Sequence, residues 1–116
     1  MASDNESGKP VIGLVETVWI SGKEKLKVRA RVDTGAVLSS IDSALLEKLG
    51  PSEVVGKKSV RSANGKTVRP IVELKLEMEG KEVREKFTVA DRQHMKYKLL
   101  IGQNILKKGF FIDPSR

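Results

Sequence analysis

Apolar and polar residues alternate with a period of two along much of this chain. In KEKLKVRARV, Leu26, Val28, Ala30 and Val32 fall on one side, and Lys23, Lys25, Lys27, Arg29 and Arg31 on the other. That period is the pleat of a β-strand with one face on a core and one in water. It returns in EVREKFTVA, where Val83, Glu85, Phe87 and Val89 alternate with Glu82, Arg84, Lys86 and Thr88. VIGLVETVW, residues 11–19, reads as a further strand, parted from the first by the turn signal Ser21-Gly22-Lys23. Residues 57–62 and 67–76 read as a hairpin joined through Ala63-Asn64-Gly65-Lys66, because Asn-Gly is favoured at the centre of a tight turn. A second hairpin turns at Glu79-Gly80.

Helical signals are few. Asp42 or Ser43 can cap a short helix SALLEKLG, stopped by Gly50 and Pro51. The run YKLLIGQNILKKGFFIDP predicts a buried apolar segment, Gly102, a helical turn from Asn104 to Lys108 closed by Gly109, and a last strand over 110–112. The sum is an all-β fold of about seven strands with one or two short helices. It is expected as a single domain over residues 10–116 behind a disordered tail of residues 1–9.

Composition agrees with that class. A chain of 116 residues holds one ordinary domain. With 39% apolar residues but only three Phe, one Tyr and one Trp, the core must rest on Val, Leu and Ile, which suit pleated sheets. No apolar run approaches the roughly 20 residues that span a bilayer, and the N-terminal MASDNESGKP is polar, so a soluble cytoplasmic protein without membrane contact is expected. The absence of cysteine removes disulfides, thiol nucleophiles and Cys-based metal sites together. His94 is the only histidine, too few for the three protein ligands of a catalytic zinc, and no GxxxxGK[ST] phosphate loop is present. Neither a metal nor a nucleotide cofactor is therefore expected. The net charge of +7 favours acidic partners, with an acidic peptide and a nucleic acid both fitting.

The residues that carry chemistry stand at the end of the basic strand, in Asp33-Thr34-Gly35. Two such loops meeting at a two-fold axis would bring two carboxylates within about 3 Å, where like charges cannot both ionise and the pair shares one proton. The ionised member can then take a proton from a bound water while the protonated one donates to a carbonyl. Gly35 removes a side chain, so that a backbone N–H can approach the carboxylate. Thr34 offers a short hydroxyl to the backbone of the neighbouring loop. One chain holds one such aspartate, so the pair requires a second copy.

The context of the motif, a strand before it, Ala36 after it and Leu99-Leu100-Ile101-Gly102 beyond, resembles the retropepsin family of aspartic proteases. The stretches RVDTGA, RSANGKTVRPIV, FTVADRQHMKYKLLIGQNIL and FFIDP are similar to the small bacterial and archaeal family labelled "ATP-dependent zinc protease", whose members are retropepsin-like. The resemblance implies a closed acid-protease β-barrel and a homodimeric aspartic endopeptidase acting on peptide or isopeptide bonds through activated water. It implies catalytic roles for Asp33, Thr34 and Gly35. Substrate would be bound by Ala36, by a flap at Ser62, Ala63, Asn64 and Gly65, and by Ile101 and Gly102. Relatives are associated with ligases that append glutamates to proteins, which implies an acidic peptide or protein as substrate. Gln103 departs from the pattern, since an arginine that could brace the dimer often stands there.

The competing reading is a non-catalytic module of the same fold that binds a protein, or a nucleic acid through its basic surface. The residue-level alternatives are plain ones: Asp, Thr and Gly favour turns in any protein, and an alternating basic strand is commonly a solvated face. His94 is expected to be a surface residue.

Overall fold

A computed structural model describes residues 8–116, so residues 1–7 of the expected tail lie outside the described residues. The strands are β1 (Val11–Ile12), β2 (Val15–Ser21), β3 (Lys25–Val32), β4 (Ser39–Asp42), β5 (Val54–Ser62), β6 (Gly65–Met78), β7 (Lys81–Ala90), β8 (Leu99–Ile101) and β9 (Phe111–Ile112). The helices are α1 (Ser43–Leu49) and α2 (Gln103–Leu106).

Seven strands form one sheet in the order β2-β3-β8-β4-β7-β6-β5, and an additional pairing of β2 with β6 closes the first six into a barrel. Inward-facing residues of the alternating strands fill it: Val18 and Ile20 from β2, Ala30 and Val32 from β3, Leu74 and Leu76 from β6, and Phe87 from β7 are all buried. Burying the larger of these, the Val, Leu, Ile and Phe side chains, stabilises the fold by about 1.5–3 kcal/mol each before entropy is counted. The fold is the expected mainly-β closed barrel with two short helices. Among the described residues, no helix is long and apolar enough to cross a membrane.

Several details differ from the sequence reading. The first expected strand is two, because the chain bends at Gly13-Leu14. There the Gly13 N–H donates to Glu16 Oε2 at 2.7 Å, and β1 leaves the barrel to pair in parallel with β9. Strand β4 was not expected. Its sequence Ser-Ser-Ile-Asp is mostly polar yet wholly buried, because it runs between β7 and β8 and its hydroxyl groups find partners, that of Ser40 in β7 and that of Ser39 at Asn104. Ser40 Oγ donates to the Thr88 carbonyl at 3.3 Å, and Thr88 Oγ1 donates to the Ser39 carbonyl at 3.4 Å. The second helix starts one residue early and ends at Leu106. Lys23 sits in the turn before β3, so the basic face of that strand is Lys25, Lys27, Arg29 and Arg31.

The two hairpins turn by different chemistry. Glu79 and Gly80 both have positive φ, 49° and 75°, and Met78 pairs with Lys81, which is the two-residue turn that matches strand twist. In the other hairpin Ser62 pairs with Gly65, so the connecting residues are Ala63 and Asn64, and Gly65 with φ 112° opens β6. This is one residue earlier than the expected Asn-Gly centre. Residues 57–70 of this hairpin pair only with each other, so its outer part stands away from the barrel wall.

Asp42 joins the barrel to its first helix. One carboxylate oxygen accepts from the N–H groups of Ala44 and Leu45 at 3.1 and 3.4 Å, capping α1, and the other accepts from the Arg92 N–H at 2.6 Å. Asp42→Ala is expected to cost about 2 kcal/mol or more, the loss of a helix cap plus an unpaired N–H in a nearly buried place. Urea denaturation measures it, and Asp42→Asn, which keeps one acceptor oxygen, should cost clearly less.

Candidate active site

Strands β3 and β8 run parallel, with Ala30, Arg31 and Val32 opposite Leu99, Leu100 and Ile101. The ladder continues one step past the end of β3, where the Asp33 N–H donates to the Ile101 carbonyl at 2.9 Å. The aspartate is thereby fixed at the mouth of a rigid strand pair. Its carboxylate accepts from the Gly35 N–H at 2.9 Å, and a Cβ on Gly35 would lie 3.3 Å from the same oxygen. Asp33 is partly exposed, and Thr34 and Gly35 are exposed.

The loop after Asp33 is clamped by α2. The first N–H groups of a helix have no partner inside it. Here those of Gln103 and Asn104 donate to the carbonyls of Ala36 and Val37 at 2.8 and 3.2 Å. Gln103 adds a side-chain bond, Nε2 to the Thr34 carbonyl at 2.8 Å, so the residue standing where an arginine was expected braces its own chain's loop. Gly102 is what lets the two segments come so close. A Cβ at this position would lie 2.7 Å from the Leu38 carbonyl carbon and 2.8 Å from the carbonyl oxygens of Ala36 and Leu38.

Ser39 and Asn104 extend the clamp into the barrel. The Ser39 N–H and hydroxyl both donate to Asn104 Oδ1, at 3.0 and 2.9 Å, and the Gly102 N–H donates to Ser39 Oγ at 2.9 Å. Asn104 Nδ2 in turn donates to the Lys86 carbonyl at 2.9 Å and to Glu85 at 3.2 Å. Burial alone would raise the Glu85 pKa, but Lys108 at 3.1 Å, the Lys86 N–H and Asn104 together bring it below the ordinary carboxylate value.

Beside the loop lies a cleft of about 500 Å³. One wall is Gly35, Ala36, Val37 and Leu38, and the other is the hairpin stem, Lys58 to Arg61 with Arg69. Arg92, from the β7–β8 connection, lines it as well. Four cations therefore border this cleft, Lys58, Arg61, Arg69 and Arg92, and no carboxylate does. Lys58 and Arg69 are directly opposite on the two strands, an arrangement of like charges that costs stability when nothing neutralises it. Burial lowers the pKa of Arg92 and the neighbouring Arg69 lowers it further, while Asp42 and Asp33 act in the other direction. A slightly larger concavity of about 550 Å³ elsewhere carries both signs, with Glu24, Glu53 and Glu73 among its lysines, and does not include the Asp33 loop.

The residues expected at the site are thus partly together. Asp33, Thr34, Gly35 and Ala36 form one loop, with Gly102 packed under it. Ile101 is fully buried, and its carbonyl accepts from the Asp33 N–H. Ala63, Asn64 and Gly65 are exposed at the hairpin tip and do not line the cleft, whose hairpin wall is the stem, and the Ser62 side chain lies outside the described residues. The basic face of β3 is elsewhere, with the Lys25 and Lys27 ammonium groups 5.1 and 5.8 Å from the centre of the Trp19 ring. His94 is exposed. Among the described residues, no group of three or more His, Cys, Asp or Glu side chains is placed to hold a metal ion. The cations of the cleft were missed because they come from three separate segments. The one available signal was in the hairpin itself, where residues 57–69, KKSVRSANGKTVR, hold five basic residues and no acidic one.

Gly102→Ala is expected to destabilise the protein by about 2–3 kcal/mol or to push the Asp33 loop outward, because the new methyl meets backbone on both sides. Gly35→Ala, whose only near neighbour is the Asp33 carboxylate, should cost much less. Denaturation of the two variants, with amide exchange at residues 33–38, distinguishes these outcomes.

The likenesses to known proteins agree with this architecture. Among solved structures, a Legionella pneumophila protein of unknown function superposes with a TM-score of 0.63 at 20% identity, covering 91% of this chain and 94% of that one. EIAV protease in complex with an inhibitor gives 0.61 at 18%, covering 91% and 92%, and simian foamy virus protease gives 0.60 at 18%, covering 80% and 91%. At such identities these establish a shared fold. No curated protein matches the chain. A family model described as "RimB-like: Retropepsin-like aspartic endopeptidase RimB" matches residues 45–116, from within α1 to the C-terminal residue, and so leaves out the Asp33 loop and β4. The match spans more than half of the sequence and includes the hairpin, the Arg92 connection and the Gly102 clamp: the chain belongs to the RimB-like family of retropepsin-like aspartic endopeptidases.

Proposed function

We propose that the working form is a homodimeric aspartic endopeptidase in which the Asp33 carboxylates of two copies form one acid–base pair. The observation that carries this is the Asp33 loop: a partly exposed carboxylate, held by the Gly35 N–H, at the end of a strand pair and clamped from below by Gly102 and α2. A lone carboxylate so placed can accept a proton but has no acid beside it. A second copy related by two-fold symmetry would supply the acid. The exposed Thr34 side chain makes no hydrogen bond within the described chain and is free to bond the partner's loop.

In such a pair one proton is shared. The ionised carboxylate takes a proton from water, the oxygen attacks the scissile carbonyl carbon, and the protonated carboxyl donates to the carbonyl oxygen. Collapse of the resulting diol returns a proton to the departing nitrogen and restores the pair. The chemistry draws on carboxylates in place of the metal named in the zinc-protease label, because the sequence offers one histidine and no cysteine as strong ligands.

We take the substrate to be an acidic peptide or protein, cleaved at a peptide or isopeptide bond. Four cations without a carboxylate among them border the cleft beside Asp33, and a chain of net charge +7 attracts such substrates at long range. Hydrolysis should therefore weaken as ionic strength rises.

Asp33→Asn tests the proposal. The amide keeps the shape but can neither take a proton from water nor hold the shared one, so hydrolysis is expected to vanish while the fold persists. The wild-type protein, assayed from pH 3 to 8, should show a bell: at low pH both carboxyls are protonated and no base remains, and at high pH both are ionised and no acid remains. Equal hydrolysis by the Asn variant would assign the chemistry to another group.

A further inference from the structure

The connection between β7 and β8 is built around one ammonium group. Lys98 Nζ donates to three carbonyls of its own loop, those of Gln93 and Met95 at 2.6 Å each and that of Arg92 at 3.3 Å. Two local bonds add to this, the Met95 N–H to the Arg92 carbonyl at 2.9 Å and the Gln93 N–H to Asp91 Oδ1 at 3.1 Å. Asp91, Gln93, His94, Met95 and Lys96 are exposed, and the segment has no regular secondary structure. An ammonium presents three donors, and here all three go to main-chain oxygens of one turn, which fixes the path of the backbone through a single side chain.

What that path delivers to the cleft is Arg92. Its N–H is held by Asp42 at 2.6 Å and its Nε by the Tyr97 carbonyl at 3.3 Å. Its two terminal nitrogens have no hydrogen-bond partner within the described chain. The guanidinium is thus anchored at its root, partly buried, set near a second arginine, and left with its fork of donors unused. A carboxylate is the group that fits such a fork, with two parallel bonds. Arg69 disfavours the Arg92 charge while Asp42 and Asp33 favour it, and a bound carboxylate would add to the favourable side.

We propose that Arg92 is the residue that selects an acidic side chain in the substrate, and that Lys98 is the positioning residue that holds Arg92 in place. This rests on the reading above that the cleft receives a peptide. It adds which residue reads the charge and what orients it.

The test uses peptides identical except for Gln in place of Glu, one position at a time, with wild type, Arg92→Gln, Arg92→Lys and Lys98→Met. Binding to each in the Asp33→Asn background, which needs no hydrolysis, gives the Glu/Gln preference directly, and kcat and KM are measured with Asp33 intact. Wild type is expected to prefer Glu at one position or more. Arg92→Gln should reduce that preference about tenfold or more, chiefly through KM, as expected for losing hydrogen bonds to a charged group. Arg92→Lys should restore part of it, because charge remains while the fork is lost. Lys98→Met should weaken the Glu peptide more than the Gln peptide. Equal loss for both peptides would mean that Lys98 only stabilises the loop, and an undiminished preference in Arg92→Gln would mean that another cation reads the charge; either overturns the inference. Absence of hydrolysis with the binding preference intact would overturn the peptidase reading and leave this one standing.

Discussion

The closest backbone approach in the candidate site is the one at Gly102. Two carbonyl oxygens and a carbonyl carbon of residues 36–38 occupy the space that any Cβ would need. Because glycine puts no Cβ there, the first N–H groups of α2 reach the carbonyls of the Asp33 loop, and the loop in turn satisfies a helix start that has no side-chain cap. Each element supplies what the other lacks. The barrel adds the Asp33 N–H bond to Ile101, so the carboxylate is fixed from the strand side and the helix side at once. The catalytic role proposed for Asp33 would need this kind of support, since effective geometry tolerates errors of only about half an ångström.

Around this rigid point the protein is more open. The hairpin of β5 and β6 leaves the barrel over residues 57–70 and carries exposed Val68 and a row of uncompensated cations. The loop carrying Arg92 depends on Lys98 and on Asp42. Asp42 is therefore shared, capping α1 with one oxygen and holding the root of Arg92 with the other. On the proposed function, this sets a firmly held carboxylate beside walls made of a hairpin and a loop, the kinds of segment that commonly carry binding residues.

Much of this was legible from residue pattern. Helix α1 occupies the residues between its expected cap at Asp42 and its stop at Gly50, because short-range signals decide a short helix. The alternating strands β3 and β7 lie close to where they were read, since one wet and one dry face impose the period directly. Strand β4 was invisible because burial of Ser39, Ser40 and Asp42 is made affordable by partners 48 to 65 residues away, which no local window contains. The hairpin turn was placed one residue late, because Asn-Gly was weighed as a pair while the register here uses Gly65 alone for its positive φ. The positive cleft was missed for the same reason as β4: Lys58, Arg61, Arg69 and Arg92 converge only in three dimensions. The roles proposed for Asp33, Thr34 and Gly35 came from the motif and its resemblance, and the geometry adds how the loop is held.

The central claim is that one chain holds half of a site. Subunit mixing tests it most directly. Wild-type protein and the Asp33→Asn variant are combined at fixed total concentration, allowed to exchange subunits, and assayed for hydrolysis across the mixing range. If each site needs Asp33 from both copies, activity follows the square of the wild-type fraction and an equal mixture retains about one quarter of the full rate. A straight-line dependence, with about half of the rate in the equal mixture, would show that a single Asp33 suffices and would contradict the account.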